Sequence, residues 1–381
     1  MLTKIKFKNF KSFIKDTIID LNPTKSEILL HENVYNNVLK GCCFFGANAS
    51  GKTNALNAIT LLLDLLFGNL KNFNSLITLF NKEELMYFEY TFSIDGKEIV
   101  YYFEITRNGK ISKETLFLEK KILLDRILLS CESNITDKKK YSIDEQNGNM
   151  LFLRIIYFNT GFQGNNELIH LFEFLKNSIY FNPSKEIAKI IAFTNENLKE
   201  IGLQNYLDKY GTDEINNFFN EYNFPYRISY EKSNLPDSVF TFGSRLKFIR
   251  NDLNDIPYFM ESYGNIMLLN ILPSILTIVK TGGILAIDEF SSGLHNQLEE
   301  LLIKYINSHS TNCQLFFVSH STNLLKTSLL RPDQVYSTDF DINGSFIKKF
   351  SDEKPRESQN LEKMYLSGVF GGIPLYGKNE N

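Results

Sequence analysis

The spacing of hydrophobic residues predicts that the chain opens with strands and leads into a helix. Residues 2–13 and 17–21 alternate well enough to form a β-hairpin. Residues 38–45 are apolar except for Lys40, which is typical of a parallel strand buried on both faces. Residues 54–66 carry apolar side chains at helical spacing. A buried strand, a short loop and a helix therefore follow one another.

A β-meander is predicted over residues 87–118. Its strands alternate polar and apolar residues, and the dipeptides Asp95-Gly96 and Asn108-Gly109 separate them. Asx-Gly pairs between alternating runs are the strongest short-range signal for hairpins. A further pair, Asn147-Gly148, predicts that strands continue towards Phe158.

Helical spacing replaces this pattern between residues 166 and 222. Apolar stripes at 167–175 and 186–193 predict helices, and His170 is expected to pack within the first of them. Strand-like alternation returns at 226–231 and 244–250.

The loop between the buried strand and the first helix fits the P-loop pattern G-x-x-x-x-G-K-[ST] in full, as Gly46-Ala-Asn-Ala-Ser-Gly-Lys-Thr53. Backbone N–H groups of such a loop, with the positive end of the helix, form an anion site for phosphates. Lys52 is expected to reach the β- and γ-phosphates and the Thr53 hydroxyl to ligate Mg²⁺. A chance match is the alternative, but the flanking strand and helix are the context that the motif requires.

Two apolar runs end in polar residues that suit nucleotide chemistry. Asp288, after residues 283–287, is expected to hold Mg²⁺, and Glu289 to orient and deprotonate the attacking water. Both carboxylates must lie at the carboxyl end of the strand, where open α/β sheets bind ligands. His320 follows the run 313–318, and a neutral histidine there can donate to a γ-phosphate. An ordinary strand-end histidine is the alternative reading.

Three shorter segments also carry expectations, the first two with an alternative. In Glu261-Ser-Tyr-Gly-Asn265, Ser262 is expected to cap a helix and Gly264 to let the backbone approach an anion; an ordinary N-cap is the alternative. Residues 291–295 form either a simple turn or a loop at a dimer interface. Asp339-Phe-Asp341 is expected to be a turn between strands.

Composition limits the number of compact units, the binding partners and the compartment that we expect for this protein. The 381 residues allow two or three compact units, and 43% hydrophobic residues allow a substantial core. A net charge of −3 excludes a strongly basic nucleic-acid coat, while the lysines at 138–140 leave a local DNA contact open beside a solvated loop. The four cysteines lack C-x-x-C spacing, so a reducing cytoplasm is expected, with Cys42 and Cys43 in the core. No signal peptide or membrane span is expected, since polar residues, proline and glycines interrupt residues 266–287.

Taken in order, the motifs resemble those of the ABC-type ATPase heads of the SMC, RecF and OLD group. The opening strand ends in Asn9-Phe-Lys-Ser-Phe13, and a P-loop, β-lobe, helical insertion, signature segment, Walker B motif, D-loop and switch histidine follow. Residues 46–54, Glu261-Ser-Tyr-Gly264, Asp288-Glu289 and the tail at 365–374 are similar to AbiL/RloA-type standalone ATPases of phage defence and abortive infection.

The resemblance implies an α/β P-loop NTPase of the ABC-ATPase head type, with an antiparallel β-lobe and a helical insertion. It implies three regions: 1–125 with the P-loop and β-lobe, 126–235 as a mainly helical insertion, and 236–381 with the remaining motifs. The signature lacks the full Leu-Ser-Gly-Gly-Gln form, and the sequence offers no clear glutamine for the Q-loop position. The chain after His320 is too short for the Toprim nuclease of OLD proteins.

The resemblance also implies ATP and Mg²⁺ as ligands, with Glu289, Lys52 and His320 catalytic. Two heads would form a homodimer or larger homo-oligomer around ATP, with Ser262 and Gly264 touching the γ-phosphate on the opposite subunit, and would regulate a separately encoded nuclease or toxin. The alternatives are a RecF-like DNA-repair ATPase, the nucleotide-binding subunit of a transporter and a non-catalytic ATP switch. The residues expected to contact nucleotide are Gly46, Ala47, Asn48, Ala49, Ser50, Gly51, Lys52, Thr53, Asn54, Ser262, Gly264 and Asp288.

Overall fold

The computed structural model describes residues 1–24, 30–68, 73, 75–80, 82–137, 139–162, 164–183, 191–192, 202–232, 239–250 and 254–373, with only the backbone at 191–192 and 239–241. The strands in these residues are β1 Leu2–Lys8, β2 Thr17–Asp20, β3 Val34–Tyr35, β4 Val38–Leu39, β5 Gly41–Gly46, β6 Leu85–Ile94, β7 Lys97–Thr106, β8 Ile111–Leu118, β9 Lys121–Ile127, β10 Ser130–Ser133, β11 Lys140–Ser142, β12 Ile179–Phe181, β13 Ile191–Ala192, β14 Arg227–Tyr230, β15 Leu246–Ile249, β16 Ile256–Pro257, β17 Gly283–Ile287, β18 Cys313–Val318, β19 Val335–Asp341 and β20 Gly344–Lys349. The α-helices are α1 Lys52–Leu66, α2 Phe152–Asn159, α3 Asn166–Lys176, α4 Leu203–Tyr210, α5 Asp213–Glu221, α6 Val239–Arg245, α7 Tyr263–Thr281, α8 Asn296–His309 and α9 Leu361–Leu366.

A mainly parallel sheet forms the centre of the protein, in the order β13-β12-β17-β18-β5-β19-β20. Only the pairings of β13 and β20 with their neighbours are antiparallel. Cys42 and Phe44 pack into a cluster with α1, whereas Cys43 and Phe45 pack into a second cluster with α7 and α8 on the other face. Burial on both faces explains why this strand is apolar throughout, and the predicted core positions of Cys42 and Cys43 are confirmed.

The predicted strand at 38–45 is split into β4 and β5 at Lys40. The Lys40 side chain is buried, and its Nζ donates to the carbonyl oxygens of Asn307 and Ser310, each at 2.7 Å. A buried ammonium requires such partners, because an unpaired one is costly. Lys40 therefore fastens the entry of β5 to the end of α8.

An antiparallel sheet forms the β-lobe, in the order β11-β10-β9-β8-β7-β6-β1-β2. The predicted hairpin of β1 and β2 and the meander of β6, β7 and β8 are both confirmed, although β1 ends at Lys8 and not at Phe13. Buried and part-exposed residues alternate along β6 and β7. Tyr90 Oη donates to Ala58 O at 2.6 Å, which fixes the buried face of the lobe to α1.

The prediction that strands continue to Phe158 is correct for β9 to β11 but wrong for the last part, which forms α2. The buried carboxylate of Glu114 accepts hydrogen bonds from Phe152 N and Leu153 N, at 2.7 and 2.9 Å. A carboxylate that satisfies the free N–H groups of a first turn favours a helix at this point.

The region 126–235 contains α2 to α5, as expected of a helical insertion, but also strands. β9 extends across residue 125 in the β-lobe, and β12 pairs with β17 in the central sheet. Of the predicted helix at 186–193, residues 191–192 form the strand β13 and the remainder lies outside the described residues. The boundaries at 125 and 235 stay a prediction.

Two local expectations were wrong. His170 does not pack in the core: its ring is exposed on α3, and Nδ1 lies 2.6 Å from Asp95 Oδ2. Asp339 and Asp341 lie on β19, and the turn follows them before Gly344.

Helix α7 is long and apolar enough to cross a membrane by length and composition, but it packs against β17 and more than half of it is buried.

Candidate nucleotide-binding site

The carboxyl ends of three neighbouring parallel strands meet at one edge of the central sheet. β18 lies between β5 and β17 and pairs in parallel with both. β5 ends at Gly46, β17 ends just before Asp288, and β18 ends just before Ser319. The three sequence motifs therefore enter one edge of the sheet, where ligands bind in open α/β folds.

The P-loop turns sharply between β5 and α1. Ala49 and Gly51 both have left-handed backbone, with φ of 62° and 113°. A Cβ on Gly51 would lie 2.4 Å from Ser345 Oγ, so only glycine fits there. α1 begins at Lys52, and the first N–H groups of a helix have no partner inside it. The loop has the form of an anion-binding concavity.

Side chains around the P-loop hold it to its neighbours. Ser50 Oγ and Thr338 Oγ1 are 2.6 Å apart, and Asn54 Nδ2 donates to Ser12 Oγ at 2.8 Å. Ser12 belongs to the segment after β1 that carries part of the family resemblance. Ser50 and Asn54 thus shape the loop through their side chains. Of the other predicted contact positions, Gly46 ends β5, and Ala47, Asn48 and Ala49 form the loop before Ser50.

Lys52 is buried beneath the P-loop. Its Nζ donates to the carbonyl oxygens of Gly46 and Ala47, at 3.0 and 2.7 Å. Burial lowers the pKa of Lys52 to about 8, although Asp288 and Glu289 oppose this effect. An anion in the loop favours the ammonium form again, because opposite charges stabilise each other. The amine is placed to exchange carbonyl partners for phosphate oxygens.

Thr53 and Asp288 form a set of oxygen ligands beside the P-loop. Thr53 Oγ1 donates to Asp288 Oδ1 at 3.0 Å, and Asp288 is only 3% exposed. Mg²⁺ in nucleotide sites uses one or two such protein oxygens together with phosphates and water. Within the described ranges, no group of three or more His, Cys, Asp or Glu is arranged to hold a metal alone. The residues present fit Mg²⁺ that is bound together with a triphosphate.

Asn182 also contacts Asp288, and sequence reasoning missed it. Its Nδ2 donates to Asp288 Oδ2 at 3.2 Å, and Asn182 is 5% exposed. It directly follows β12, which is parallel to β17, so it lies at the same sheet edge. An amide therefore lies beside Asp288, the carboxylate predicted to hold Mg²⁺, although the sequence offers no clear glutamine for the Q-loop position. The only signal was the apolar run at 179–181, which is too short to stand out between helical patterns.

Glu289 has an unusual backbone conformation. Its φ is 52°, which is uncommon for a residue other than glycine. A left-handed residue after β17 breaks the strand alternation that would otherwise send Asp288 and Glu289 to opposite faces. Ser292 N donates to Glu289 O at 2.9 Å and closes the turn. Both carboxylates thus lie at the sheet edge, and such strained residues occur often at functional sites.

His320 lies at the surface of the same edge. Its backbone N–H donates to Ser291 Oγ at 3.3 Å, and Ser319 Oγ donates to the same oxygen at 3.2 Å. Desolvation and the nearby Lys52 lower the pKa of His320, while Glu289 raises it. The ring is therefore neutral at pH 7 and has one N–H to donate. Ser291 links the predicted D-loop to the histidine.

Ser262 caps helix α7, as its sequence predicted. Its Oγ accepts from Asn265 N at 3.4 Å. The neighbouring Glu261 accepts from Ser262 N at 2.8 Å and pairs with Arg250 at 2.7 Å. Burial alone would raise the pKa of Glu261, but these bonds lower it overall. The cap and its carboxylate give this helix end a fixed conformation.

Gly264 lies against the loop that follows Glu289. A Cβ on Gly264 would be 2.9 Å from the carbonyl oxygen of Gly293. In the part of the chain that the structure describes, Ser262 and Gly264 share no hydrogen-bonding partner with the P-loop. The predicted site residues therefore fall into two groups that no hydrogen bond among the described residues joins: Lys52, Thr53, Asp288, Glu289 and His320 in one, and Ser262 with Gly264 in the other.

The central sheet, the P-loop and the antiparallel β-lobe define a P-loop protein of the ABC-type ATPase class. Residues 43–326 match the family described as "AAA domain, putative AbiEii toxin, Type IV TA system". This match covers more than half of the chain, and the protein belongs to that family. None of the curated proteins matches the sequence.

Solved structures that the chain resembles include three SMC heads, each at 14% identity. The SMC head domain from Thermotoga maritima has a TM-score of 0.47, with 91% of this chain and 98% of that chain covered. The SmcHead bound to the C-winged helix domain of ScpA has a TM-score of 0.49, with 91% and 96% covered. The third is the Smc head domain with an extended coiled coil, bound to the C-terminal domain of ScpA derived from Pyrococcus furiosus. Its TM-score is 0.48, with 93% of this chain and 97% of that chain covered. Likenesses this distant carry no functional conclusion.

Proposed function

We propose that this protein is a cytoplasmic ATPase that joins two heads around ATP and regulates a separately encoded nuclease or toxin in defence against phage. One observation carries the ATPase part. Thr53 contacts Asp288 at 3.0 Å, beside the buried Lys52 and next to Glu289. A hydroxyl and an amine after β5, together with two carboxylates after β17 at the same sheet edge, are the groups that phosphoryl transfer to water requires.

Each of these residues has a distinct part in the proposed reaction. Lys52 and the loop N–H groups bind the β- and γ-phosphates. Thr53 and Asp288 hold Mg²⁺, which when bound offsets the negative charge of the phosphate oxygens. The carboxylate of Glu289 accepts the proton of the attacking water, and the neutral ring of His320 donates to a γ-phosphate oxygen.

The separation of the two groups of site residues supports the proposed dimer. Three large apolar side chains beside the Ser262 cap are exposed: Phe259 by 45%, Met260 by 69% and Tyr263 by 56%. Exposed apolar clusters often mark interaction surfaces. A second copy would place Ser262 and Gly264 against the triphosphate in the first copy's P-loop. Because each γ-phosphate then needs both chains, ATP binding and association are thermodynamically coupled.

Glu289→Gln tests hydrolysis and dimerisation together. This variant is expected to bind ATP, to lose turnover and to accumulate as a dimer, seen as a doubled mass by light scattering. The double variant Lys52→Ala/Glu289→Gln, which lacks the phosphate ligand, is the control and should stay monomeric. A Glu289→Gln protein that binds ATP as a monomer would refute the dimer. Turnover equal to the unmodified protein would refute the role of Glu289.

Two resemblances support the defence role. The family description names a toxin of a type IV toxin–antitoxin system, and the tail and P-loop resemble phage-defence ATPases. Phage plating with Lys52→Ala and Glu289→Gln alleles in the native operon tests it directly. Both alleles are expected to abolish protection; unchanged protection would exclude an ATP-dependent defence role.

A further inference from the structure

The segment 361–373 contacts both the loop after His320 and the first residue of the P-loop, although the proposed reaction gives it no part. It begins with α9, which packs against the 3₁₀ turn Thr322–Leu324 just after His320. Thr322 Oγ1 donates to Glu362 Oε1 at 2.7 Å. Through this hydrogen bond the segment holds the loop that carries the switch histidine.

The other end of the segment touches the P-loop strand. Gly372 N donates to Asp339 Oδ2 at 3.2 Å. A Cβ on Gly372 would lie 3.0 Å from Thr338 O and 3.5 Å from the Cα of Gly46, the first residue of the P-loop. Gly372 also has left-handed backbone, with φ of 71°. The chain thus approaches Gly46 at a position where a Cβ would be strained by the backbone and tightly packed against β19.

Buried aromatic residues make the connection between these two ends stiff. Tyr365 Oη donates to Gly372 O at 3.0 Å, and its ring lies 6.2 Å from that of Phe45, which precedes Gly46. Phe370 is fully buried and stacks on Phe350 with ring centroids 3.7 Å apart. Close packing of this kind transmits displacement, because interiors have little free volume.

We propose that Glu362 and Gly372 are positioning residues: segment 361–373 fixes the switch-histidine loop relative to the P-loop. The inference rests on the proposed ATPase function. The ring of His320 is exposed, so its place over a γ-phosphate depends on how its loop is held. The Thr322–Glu362 bond holds that loop from the segment whose other end contacts Gly46. Segment 361–373 therefore positions both the loop that carries His320 and the start of the P-loop.

The switch-loop end is tested by removing one hydroxyl. Thr322→Val keeps the side-chain shape but cannot donate to Glu362, whereas Thr322→Ser keeps the donor. We expect Thr322→Val to lower kcat about tenfold with KM for ATP unchanged, and Thr322→Ser to restore kcat. Lys363→Gln, an exposed change on the same helix, is the control for the helix itself. A wild-type kcat in a folded Thr322→Val protein would overturn this part of the inference.

The P-loop end has a matched pair of glycines. Gly371 and Gly372 have nearly equal φ, 72° and 71°, but a Cβ on Gly371 would meet only Asp339 Oδ2 at an ordinary 3.7 Å. Gly371→Ala and Gly372→Ala therefore share the backbone strain, but only the Gly372 methyl group would press on Thr338 O, at 3.0 Å, and Ser337 Cβ, at 3.2 Å. Both atoms belong to β19, which pairs with Gly46 at the start of the P-loop. We expect Gly372→Ala to raise KM and the ATP dissociation constant about tenfold over Gly371→Ala, with both proteins measured in the folded state. Equal effects of the two variants would overturn the inference.

Binding of a fluorescent ATP analogue separates failure of this inference from failure of the proposed function. An unmodified protein that binds the analogue without turnover contradicts the proposed hydrolysis, while the glycine pair still decides the positioning role through the dissociation constants. An unmodified protein that binds no nucleotide contradicts both.

Discussion

Thr53 and Asp288 are 235 positions apart in the sequence, yet the hydroxyl of one donates to the carboxylate of the other at 3.0 Å. The contact exists because β5 and β17 are separated by only one strand in the central sheet. It joins the P-loop to the strand that carries the two carboxylates. It is also the most direct structural support for a Mg²⁺ site.

Removing this hydroxyl is expected to impair the use of Mg²⁺. Thr53→Val should lower ATP turnover about 100-fold at limiting Mg²⁺, whereas Thr53→Ser should retain most of it, because loss of metal-site ligands or of the groups that orient them costs about 10- to 100-fold. The measurement is a titration of ATPase rate with Mg²⁺ at fixed ATP. Thr60→Val, on the same helix and away from the phosphate loop, is the control. Identical Mg²⁺ curves for Thr53→Val and the unmodified protein would contradict this assignment.

The parts of the site that were predictable from sequence are those whose residues are neighbours along the chain. The P-loop needs a glycine turn, a lysine and a hydroxyl in succession, and the strand before it is apolar because both faces are buried. The same reasoning located Asp288 and His320, each just after an apolar strand.

The remaining features depend on contacts between distant segments. Asn182 follows a strand of only three residues, which becomes recognisable when β17 pairs with it. Helix α2 was mistaken for strand because its first N–H groups are satisfied by Glu114, about forty residues earlier in the chain. His170 was misplaced because the buried stripe of α3 runs through Leu168, Leu171 and Leu175 and leaves His170 beside Asp95 at the surface.

Glu299 predicts a pH-dependent stability. It is fully buried on α8 beneath the switch loop, where Ser321 Oγ donates to its Oε1 at 3.1 Å, and Oε2 has no hydrogen-bonding partner among the described residues. Burial raises the pKa of Glu299 from 4.5 to about 7, with a smaller contribution from Glu300, and the hydrogen bond from Ser321 opposes this only in part. The folded state therefore holds a proton that the unfolded state releases between these two pH values.

Because the folded state holds this extra proton, the free energy of unfolding falls as the pH rises. Stabilisation from Glu299 is fully present below pH 4.5 and is lost as the pH rises through 7. Glu299→Gln should thus gain about 2 kcal/mol over the unmodified protein between pH 5 and pH 8, measured by denaturant unfolding. Glu300→Gln, whose carboxylate pairs with Lys326 at the surface, should show no such trend. A stability difference independent of pH would show that Glu299 is ionised in the fold.

The buried pair of Arg126 and Glu114 is expected to be essential to the β-lobe. Both side chains are fully buried 3.3 Å apart, and Tyr101 Oη also donates to Glu114 at 2.7 Å. Glu114→Gln leaves the guanidinium without its counter-charge, and breaking a buried pair costs about 3 kcal/mol. Denaturant unfolding should show this loss, while Glu119→Gln at the lobe surface should change stability by less than about 0.5 kcal/mol. A loss below about 1 kcal/mol would mean that the carbonyl oxygens of Leu128, Gly148 and Met150, which accept hydrogen bonds from Arg126, are enough to stabilise the guanidinium.

The apolar cluster beside Ser262 predicts where the ATP-dependent dimer can be broken without harm to ATP binding. Met260 is 69% exposed, so Met260→Glu should fold normally and bind ATP as a monomer, but a carboxylate in an apolar contact is unfavourable. In the Glu289→Gln background, we expect light scattering to show a dimer only at protein concentrations at least tenfold higher, since central contacts dominate interface energies. Ile127→Glu is the control, because Ile127 is 62% exposed but lies in the β-lobe. If both substitutions weaken the dimer equally, or if neither does, the apolar cluster beside Ser262 is not part of the interface between two heads.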